Sequence, residues 1–382
     1  MFLIGSGVSI PSGFPSTKEI TNLVLSGENI IRHTDSRYYI NPSPTELEQH
    51  FTNEQLSNVL SLFKVIMDIM GEYNKPETIN YEILFYFVVQ LSDFESGNSV
   101  NMALYPFYKE VKTKYHSMTG KQIRFIDLFA EAENYIRHIV WRKLQSVQVT
   151  NFDQLTFLSD ALKDKAFGPL NVATLNHDLL IESYLDKLKI KLHDGFGKPI
   201  NGVRYWENNF KNENNLLKIH GSINWVTLRV DKGNWFTQKV GIVLDGDIDH
   251  PKNKDGVLMR SQPPEPLILT GTFNKIGEYT GSIYSDVYSR FKSLLNHTNF
   301  LVVSGYSFGD KGINAAVTEW LFLNADHRII VIHRDPKRLL NTDARRAIQR
   351  IANDIAPDNF ISIPKMIQDT TWEDIKRALE SS

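Results

Sequence analysis

Short runs of β-branched and aliphatic residues recur along this chain, most of them followed at once by small or polar residues and then by helix-forming sequence. That alternation constrains the fold most. Phe2-Leu3-Ile4, LNVAT (170–174), LLKIH (216–220), PLILT (266–270), FLVVSG (300–305) and RIIVIH (328–333) read as strands. Helices are expected through about Leu25, where Ser16 and Glu19 have capping-box spacing, over LLIESYLDKL (179–188), and over 285–295, 313–323 and 343–351. Strands this uniformly apolar belong to a parallel sheet covered on both faces. The expected class is α/β, a Rossmann-like doubly wound parallel sheet.

Between the first strand and the second the character changes. Leu56–Met70, Tyr81–Leu91, Ala103–Tyr115 and Phe125–Leu144 place apolar residues three and four apart and carry few strand signals. This predicts a large all-helical insertion over 27–168, set into a discontinuous sheet domain of 1–26 and 169–382. Two of its helices are apolar around most of their circumference, which implies burial within the chain or a contact in a homo-oligomer. The stretch from Gly241 to Pro266, rich in Asp, Gly and Pro, reads as a long loop or a β-hairpin excursion.

Several classes of function are excluded or made harder. The 382 residues contain no cysteine, which removes disulfides, a thiolate nucleophile and cysteine-ligated zinc or iron–sulfur centres. Forty-two basic against 44 acidic residues give a net charge of −2, so no overall field attracts nucleic acid or an anionic membrane. The longest apolar run, Ile83 to Val89, is far below the roughly 18–20 residues of a membrane span, and no signal-peptide pattern opens the chain. A cytoplasmic protein without membrane contact is expected.

In a doubly wound sheet, ligands bind beyond the carboxyl ends of the strands. After the first strand comes Gly5-Ser6-Gly7-Val8-Ser9, with Gly13-Phe14-Pro15 further on. The first two glycines of a dinucleotide fingerprint are present, but Ile10 stands where the third should be. Such a loop can cradle a phosphate at a helix N-terminus or be an ordinary turn. After LNVAT, Asn176 and Asp178 lie on a short turn where they can enter the crevice, cap the next helix, or do both. His220 ends the LLKIH strand, where an imidazole can accept a proton from water or a hydroxyl, or serve structure alone. Tyr306-Ser307-Phe308-Gly309-Asp310 and His333-Arg334-Asp335 follow the later strands as candidate phosphate or ribose contacts.

Taken together, the Gly5–Ser9 loop with Gly13-Phe14-Pro15, Thr174-x-Asn176-x-Asp178, His220-Gly221 and Gly305–Asp310 resemble the NAD-binding domain of sirtuins. They are most similar to the bacterial sirtuin-like NAD hydrolases of antiphage defence. The resemblance covers about 1–26 and 169–335. A four-cysteine zinc module, usual in sirtuin deacylases, cannot be built here, so no metal is expected. By its length and insertion the chain also resembles the sirtuin-like subunit of systems partnered by a HerA-type ATPase.

The resemblance implies NAD as substrate. It places the dinucleotide against Gly5, Ser6, Gly7, Ser9, Phe14, Pro15 and Thr174, with its adenosine near Gly305, Tyr306, Ser307 and His333. Asn176, Asp178 and His220 would be catalytic: Asp178 holding the carboxamide, Asn176 a water or ribose hydroxyl, His220 taking the proton. The products would be nicotinamide and ADP-ribose. Other readings are an NAD or ADP-ribose sensor or partner subunit without turnover, a protein deacylase, or a nuclease component. The last would use the basic cluster Arg334, Lys337, Arg338, Arg345, Arg346 and Arg350.

Overall fold

The computed structural model describes residues 1–48, 53–73, 79–98, 101–167, 169–212, 214–232, 235–244, 251–252, 259, 265–272 and 274–380. The chain divides into two compact units: Met1–Phe14, Val147–Leu269 and Lys275–Ser382 form one, and Pro15–Ser146 with Thr270–Asn274 the other.

The first unit is built on a six-stranded parallel sheet. Across it the strands run Phe360–Ile363, Arg328–Ile332, Phe300–Ser304, Phe2–Ile4, Asn171–Thr174 and Asn215–Lys218. Numbered along the chain and read from the opposite edge, this is the order 3-2-1-4-5-6 of the Rossmann fold. The first strand is central, Phe2 pairing with Val172 on one side and Val302 on the other. Strand order reverses between Phe2–Ile4 and Phe300–Ser304, and that reversal opens a crevice at the strands' carboxyl ends.

Alternation along the strands divides the packing between the two faces. Leu3 joins Ala173, Leu217, Leu301, Val303, Ile329 and Val331 in one core, which also takes in Val287 and Phe291 of helix Ser282–Asn296 and Val317 and Trp320 of helix Lys311–Leu323. Phe2 points the other way, its ring centroid 5.3 Å from that of Phe157 and 6.4 Å from that of Trp372. Helices Thr156–Lys163 and Trp372–Glu380 carry those two partners. Helices on both faces explain why the strands are apolar throughout.

A second, antiparallel sheet in this unit runs Gly195–Phe196, Val203–Asn209, Trp235–Val243, Trp225–Lys232. Its hairpin pairs Trp225 with Ile242 through to Lys232 with Trp235. The hairpin thus starts well before the 241–266 stretch that the sequence suggested for an excursion; 245–250, 253–258 and 260–264 lie outside the described residues. Val226 and Leu228 pack with Val203 in a small core of their own, the physical content of the alternation in Trp225-Val226-Thr227-Leu228.

Two readings of local structure change. PLILT is not a strand of the sheet: Ile268 makes only an isolated bridge to Gly221, while the N–H groups of Leu267 and Leu269 donate to Trp225 O and His220 O. Burial of Ile268 and Leu269 accounts for the apolar run without strand pairing. Phe360–Ile363, which the sequence reading passed over, adds a parallel edge strand against Arg328–Ile332. Being short and half-buried, it has no strong apolar run to betray it.

The second unit is helical apart from a two-stranded antiparallel hairpin, Ile30–Arg32 with Tyr38–Ile40. Its main helices are Thr17–Ser26, Glu54–Tyr73, Tyr81–Glu95, Tyr105–Thr119 and Phe125–Gln145. The capping box forms as expected, Ser16 Oγ accepting Glu19 N–H while the Glu19 carboxylate accepts Ser16 N–H. Phe125–Gln145 is the central helix, burying Phe129, Tyr135, Ile136, Ile139 and Trp141. Tyr135 donates to Val24 O at 3.0 Å, and the Glu131 carboxylate takes Arg32 at 2.5 Å and the Tyr38 hydroxyl at 2.6 Å. Of the two unusually apolar helices, Tyr81–Glu95 buries Leu84, Phe85, Val88 and Leu91, and Glu54–Tyr73 buries Val59, Leu62, Phe63, Ile66 and Ile69.

Candidate active site

Three strand-end turns of the first unit meet at the crevice. Thr174 ends its strand with its hydroxyl between the first two turns, donating to Ile4 O at 3.2 Å and accepting Asn176 N–H at 3.1 Å. The Asn176 amide then donates to Gly5 O at 3.1 Å and to Ser9 Oγ at 3.0 Å. Ser9 donates in turn to Asp178 Oδ2 at 2.7 Å, and Asp178 Oδ1 accepts Leu180 N–H at 3.0 Å at the start of helix Leu180–Lys187. Asp178 thus joins the cluster through one oxygen and braces the turn into the helix through the other, while Leu179 is the N-cap residue and has no side-chain cap. Ser9, Thr174, Asn176 and Asp178 are all buried.

Behind the bend lies Lys218, 3 % exposed, whose ammonium donates to Asp178 O and pairs with Glu182 at 2.8 Å. Burial pushes the Glu182 carboxyl above its ordinary range, against the pull of Lys218. The bend is thus held by a buried cation as well as by hydrogen bonds.

The glycines of the opening loop answer to a neighbour in the protein. A Cβ on Gly5 would stand 2.4 Å from Gly305 O, and one on Gly7 would stand 2.8 Å from Gly305 Cα. Gly305 itself has φ +65°, and a Cβ there would meet Val8 N at 2.5 Å. The two loops flanking the strand reversal thus touch backbone to backbone, which only glycine allows. Gly5 N–H donates to Ser304 O and Gly7 N–H to Gly305 O. Ser6 between them is exposed. The second turn of this loop is locked by Gln154, fully buried, which donates to Val8 O at 3.0 Å and to Ser12 Oγ.

His220 follows the third strand of the chain's order. It is buried, with Nε2 2.7 Å from Tyr279 Oη and 3.1 Å from Asp310 Oδ2, while the Tyr279 hydroxyl donates to the same Asp310 oxygen at 2.9 Å. Gly221 holds the turn open at φ +80°, where a Cβ would lie 2.0 Å from Leu267 O. The His220 ring is 6.1 Å, centroid to centroid, from His177, the residue between Asn176 and Asp178. Burial drives His177 well below the ordinary histidine range, and the positive charges of Lys275 and Lys218 nearby add to that. Asp310 is pushed up by burial, but the hydrogen bond from His220, with the charge of Lys275 nearby, more than reverses this and holds it well below the usual carboxylate range.

The remaining candidates are placed less centrally. Tyr306 is buried, its hydroxyl 2.8 Å from Asn314 Oδ1 and accepting Asp310 N–H at 3.1 Å, so it shapes its own loop. Ser307 is exposed at the loop tip. His333 follows strand Arg328–Ile332, one strand beyond, and its Nδ1 accepts Asp335 N–H at 3.0 Å. Phe14 is buried, and Pro15 belongs to the second unit. In the basic cluster, Arg338 pairs with Asp343 at 3.5 Å and Arg345 donates to Gly309 O at 2.6 Å.

Residues 170–354 match the family model of the SIR2-like domain. The SIR2-like segment contains Thr174, Asn176, Asp178, His220, Gly305, Tyr306, Ser307 and His333; the opening glycine loop lies outside it. No curated protein matches the chain. Solved structures that resemble it include a mutant Sir2 homologue in complex with ADP-ribose, 14% identical, at a TM-score of 0.36 over 100% of this chain and 92% of that one. A Sir2 homologue–NAD complex is 14% identical at 0.37, covering 100% and 89%. A further mutant Sir2 homologue, with 2′-O-acetyl-ADP-ribose, is 14% identical at 0.36, covering 100% and 91%.

Within the SIR2-like segment, sequence reasoning passed over His177, Lys218 and Tyr279. The first stood between two noted residues and the second inside an apolar strand, where a lysine is itself a signal of a buried partner. Tyr279 had no local signal. Among the described residues no three His, Asp or Glu side chains are grouped to hold a metal ion, and no helix is long and apolar enough to cross a membrane. Two polar atoms at the bend, Asn176 Oδ1 and His177 Nδ1, are buried without a hydrogen-bond partner among the described residues.

Proposed function

We propose that this chain cleaves the nicotinamide–ribose bond of NAD by water, giving nicotinamide, ADP-ribose and a proton. The observation that carries the reading is the Asn176–Asp178 bend: it is bonded to Gly5 and Ser9 at the strand reversal of a Rossmann sheet, lies one ring away from His220, and falls inside a segment matching the SIR2-like domain. Buried polar atoms without partners are costly, by about 1–3 kcal/mol each, and Asn176 Oδ1 suits a ribose hydroxyl or the attacking water.

In this reading Asp178 keeps spare acceptor capacity beyond Ser9 and Leu180, since an ionised carboxylate has about four lone-pair sites, and turns the nicotinamide carboxamide. Nicotinamide departs neutral with the glycosidic electron pair, and charge gathers at the ribose carbon as in other glycosyl transfers. Water oxygen bonds to that carbon and gives its proton to His220. A buried, preorganised polar pocket stabilises such a centre better than water does. Ser6, Ser307 and His333 are assigned to the phosphate and adenosine end; Gly5, Gly7, Gly305 and Tyr306 shape the loops there.

The reading extends to a cytoplasmic, homo-oligomeric effector that depletes NAD in antiphage defence, acting with a HerA-type ATPase. The test is incubation with NAD, alone and with such a partner, followed by chromatography. Nicotinamide and ADP-ribose should appear in equal amounts and vanish with His220→Ala and with Asn176→Ala. Unchanged turnover by either variant overturns the assigned roles. An acyl-lysine peptide run in parallel tests the deacylase alternative: acyl transfer to ADP-ribose in place of free ADP-ribose would replace the hydrolase reading.

A further inference from the structure

His220 is gripped from one side by two groups that come from distant parts of the chain. Asp310 opens helix Lys311–Leu323, and Tyr279 follows the short helix Lys275–Glu278; both reach the same ring nitrogen. The hydrogen-bond logic of this trio requires a proton on Nε2. An ionised carboxylate only accepts, and the Tyr279 hydroxyl has a single proton, which it gives to Asp310 Oδ2 at 2.9 Å. Were Nε2 unprotonated, its lone pair would face the Asp310 oxygen at 3.1 Å with no proton between them. Nε2 therefore carries the hydrogen.

We infer that Asp310, seconded by Tyr279, is a positioning residue that fixes His220 as the Nε2–H tautomer, making Nδ1 the nitrogen that takes up the proton in turnover. This rests on the hydrolase reading for its catalytic part. When Nδ1 accepts a proton from water, the ring becomes an imidazolium whose Nε2–H already points at a carboxylate. That is the orienting role a buried aspartate plays toward histidine in hydrolytic triads, reached here on a different fold and with a tyrosine sharing the carboxylate.

Other titratable groups stand around the trio. His177 faces the His220 ring at 6.1 Å between centroids, Lys275 bears on both His177 and Asp310, and Lys218 bears on His177 from the strand behind. Tyr306 and Tyr288 lie near enough to Asp310 for its charge to raise both phenols. Of the two oxygens at Nε2, Tyr279 Oη at 2.7 Å is the nearer and Asp310 Oδ2 at 3.1 Å the charged one. Against the upward push of burial, the hydrogen bonds from His220 and Ile313 N–H and the charge of Lys275 hold the Asp310 carboxyl below the usual carboxylate range.

The discriminating variant is Asp310→Asn. Asparagine caps helices about as well as aspartate, so the bond from Ile313 N–H, 2.9 Å long, has a substitute and the helix start is retained. Two readouts are taken. In ¹⁵N-resolved NMR, with His220→Ala used to assign the resonance, the wild-type ring should show the Nε2–H tautomer, and Asp310→Asn should lower its titration midpoint by about one pH unit, as loss of a close carboxylate does. In NAD turnover, Asp310→Asn should lower kcat about 10–100-fold with KM changed less than about threefold, and move the acid limb of the profile to lower pH. Tyr279→Phe, which leaves the charge in place, should move both by less than Asp310→Asn does. An Nδ1–H tautomer in the wild type, or a midpoint and pH limb that stay put in Asp310→Asn, overturns the inference. The NMR readout needs no NAD, so absence of turnover in the wild type would sink the hydrolase reading while this test still returned its answer.

Discussion

Ser9 Oγ donates to Asp178 Oδ2 at 2.7 Å across 169 residues of sequence, tying the loop after the first strand to the bend after the second. Both partners are buried, and Asn176 closes the figure by donating to Ser9 Oγ at 3.0 Å. A hydroxyl that donates to a carboxylate and accepts from an amide fixes the orientation of both side chains at once.

Ser9→Ala removes that link and leaves a buried carboxylate oxygen and an amide hydrogen without their partner. The expected loss of stability is about 1–3 kcal/mol. Chemical denaturation of the purified variant measures it, and on the proposed hydrolase reading nicotinamide release should fall with it because Asn176 loses its orientation. A variant as stable and as active as the wild type would show that the bond is incidental.

The backbone contact between the two glycine loops predicts a graded response. Gly305→Ala meets Val8 N at 2.5 Å in a left-handed conformation and Gly7→Val meets Gly305 Cα at 2.8 Å, whereas Gly309→Ala meets only Ser307 Oγ at 3.5 Å. The first two should lower the melting temperature and abolish turnover; the third should leave both near wild type. Equal effects at all three positions would refute loop-to-loop packing as the reason for these glycines.

His177 predicts a pH dependence of stability. Its folded pKa lies well below the ordinary 6.5, so the unfolded chain binds the additional proton between the two values. The stabilisation is complete above about 6.5 and drains away as pH falls below it. Denaturation midpoints measured from pH 8 down to pH 5 should therefore decline, and His177→Asn should flatten the decline. Asp310, held below its ordinary 3.8, adds a further loss only in stronger acid.

Lys218 sits in a strand, 3 % exposed, and its partners are Glu182 and the carbonyl of Asp178. Removing one member of a buried pair leaves the other uncompensated, at a cost of roughly 3–5 kcal/mol when burial is complete and less for a partly exposed partner such as Glu182. Lys218→Met should thus destabilise clearly, and Lys218→Met with Glu182→Leu should recover part of the loss. Failure of the second change to recover anything would mean that the carbonyl bond, not the ion pair, is what matters.

How far the sequence could be read follows from the range of the interactions involved. Strand runs, the capping box at Ser16 and Glu19, and the polar turns after Thr174 and His220 depend on neighbours a few residues away, and they were legible. PLILT misled because an apolar run states burial and not pairing, and Phe360–Ile363 escaped because an edge strand needs little burial. The glycines of the opening loop were visible, but their reason was not: it is Gly305, 300 residues after Gly5.

The sequence by itself determined that a parallel α/β sheet would form, that its strand ends would carry Ser9, Asn176, Asp178 and His220, and that no cysteine chemistry was open to it. Periodicity and composition are local quantities, and one chain contains them in full. Only the tertiary structure decided that Asp310 and Tyr279 reach one nitrogen of His220, that Lys218 holds the Asp178 carbonyl, and that two glycine loops touch at the strand reversal. Those contacts join residues tens to hundreds of positions apart, and their geometry is fixed by the order of strands in the sheet, which no local pattern encodes.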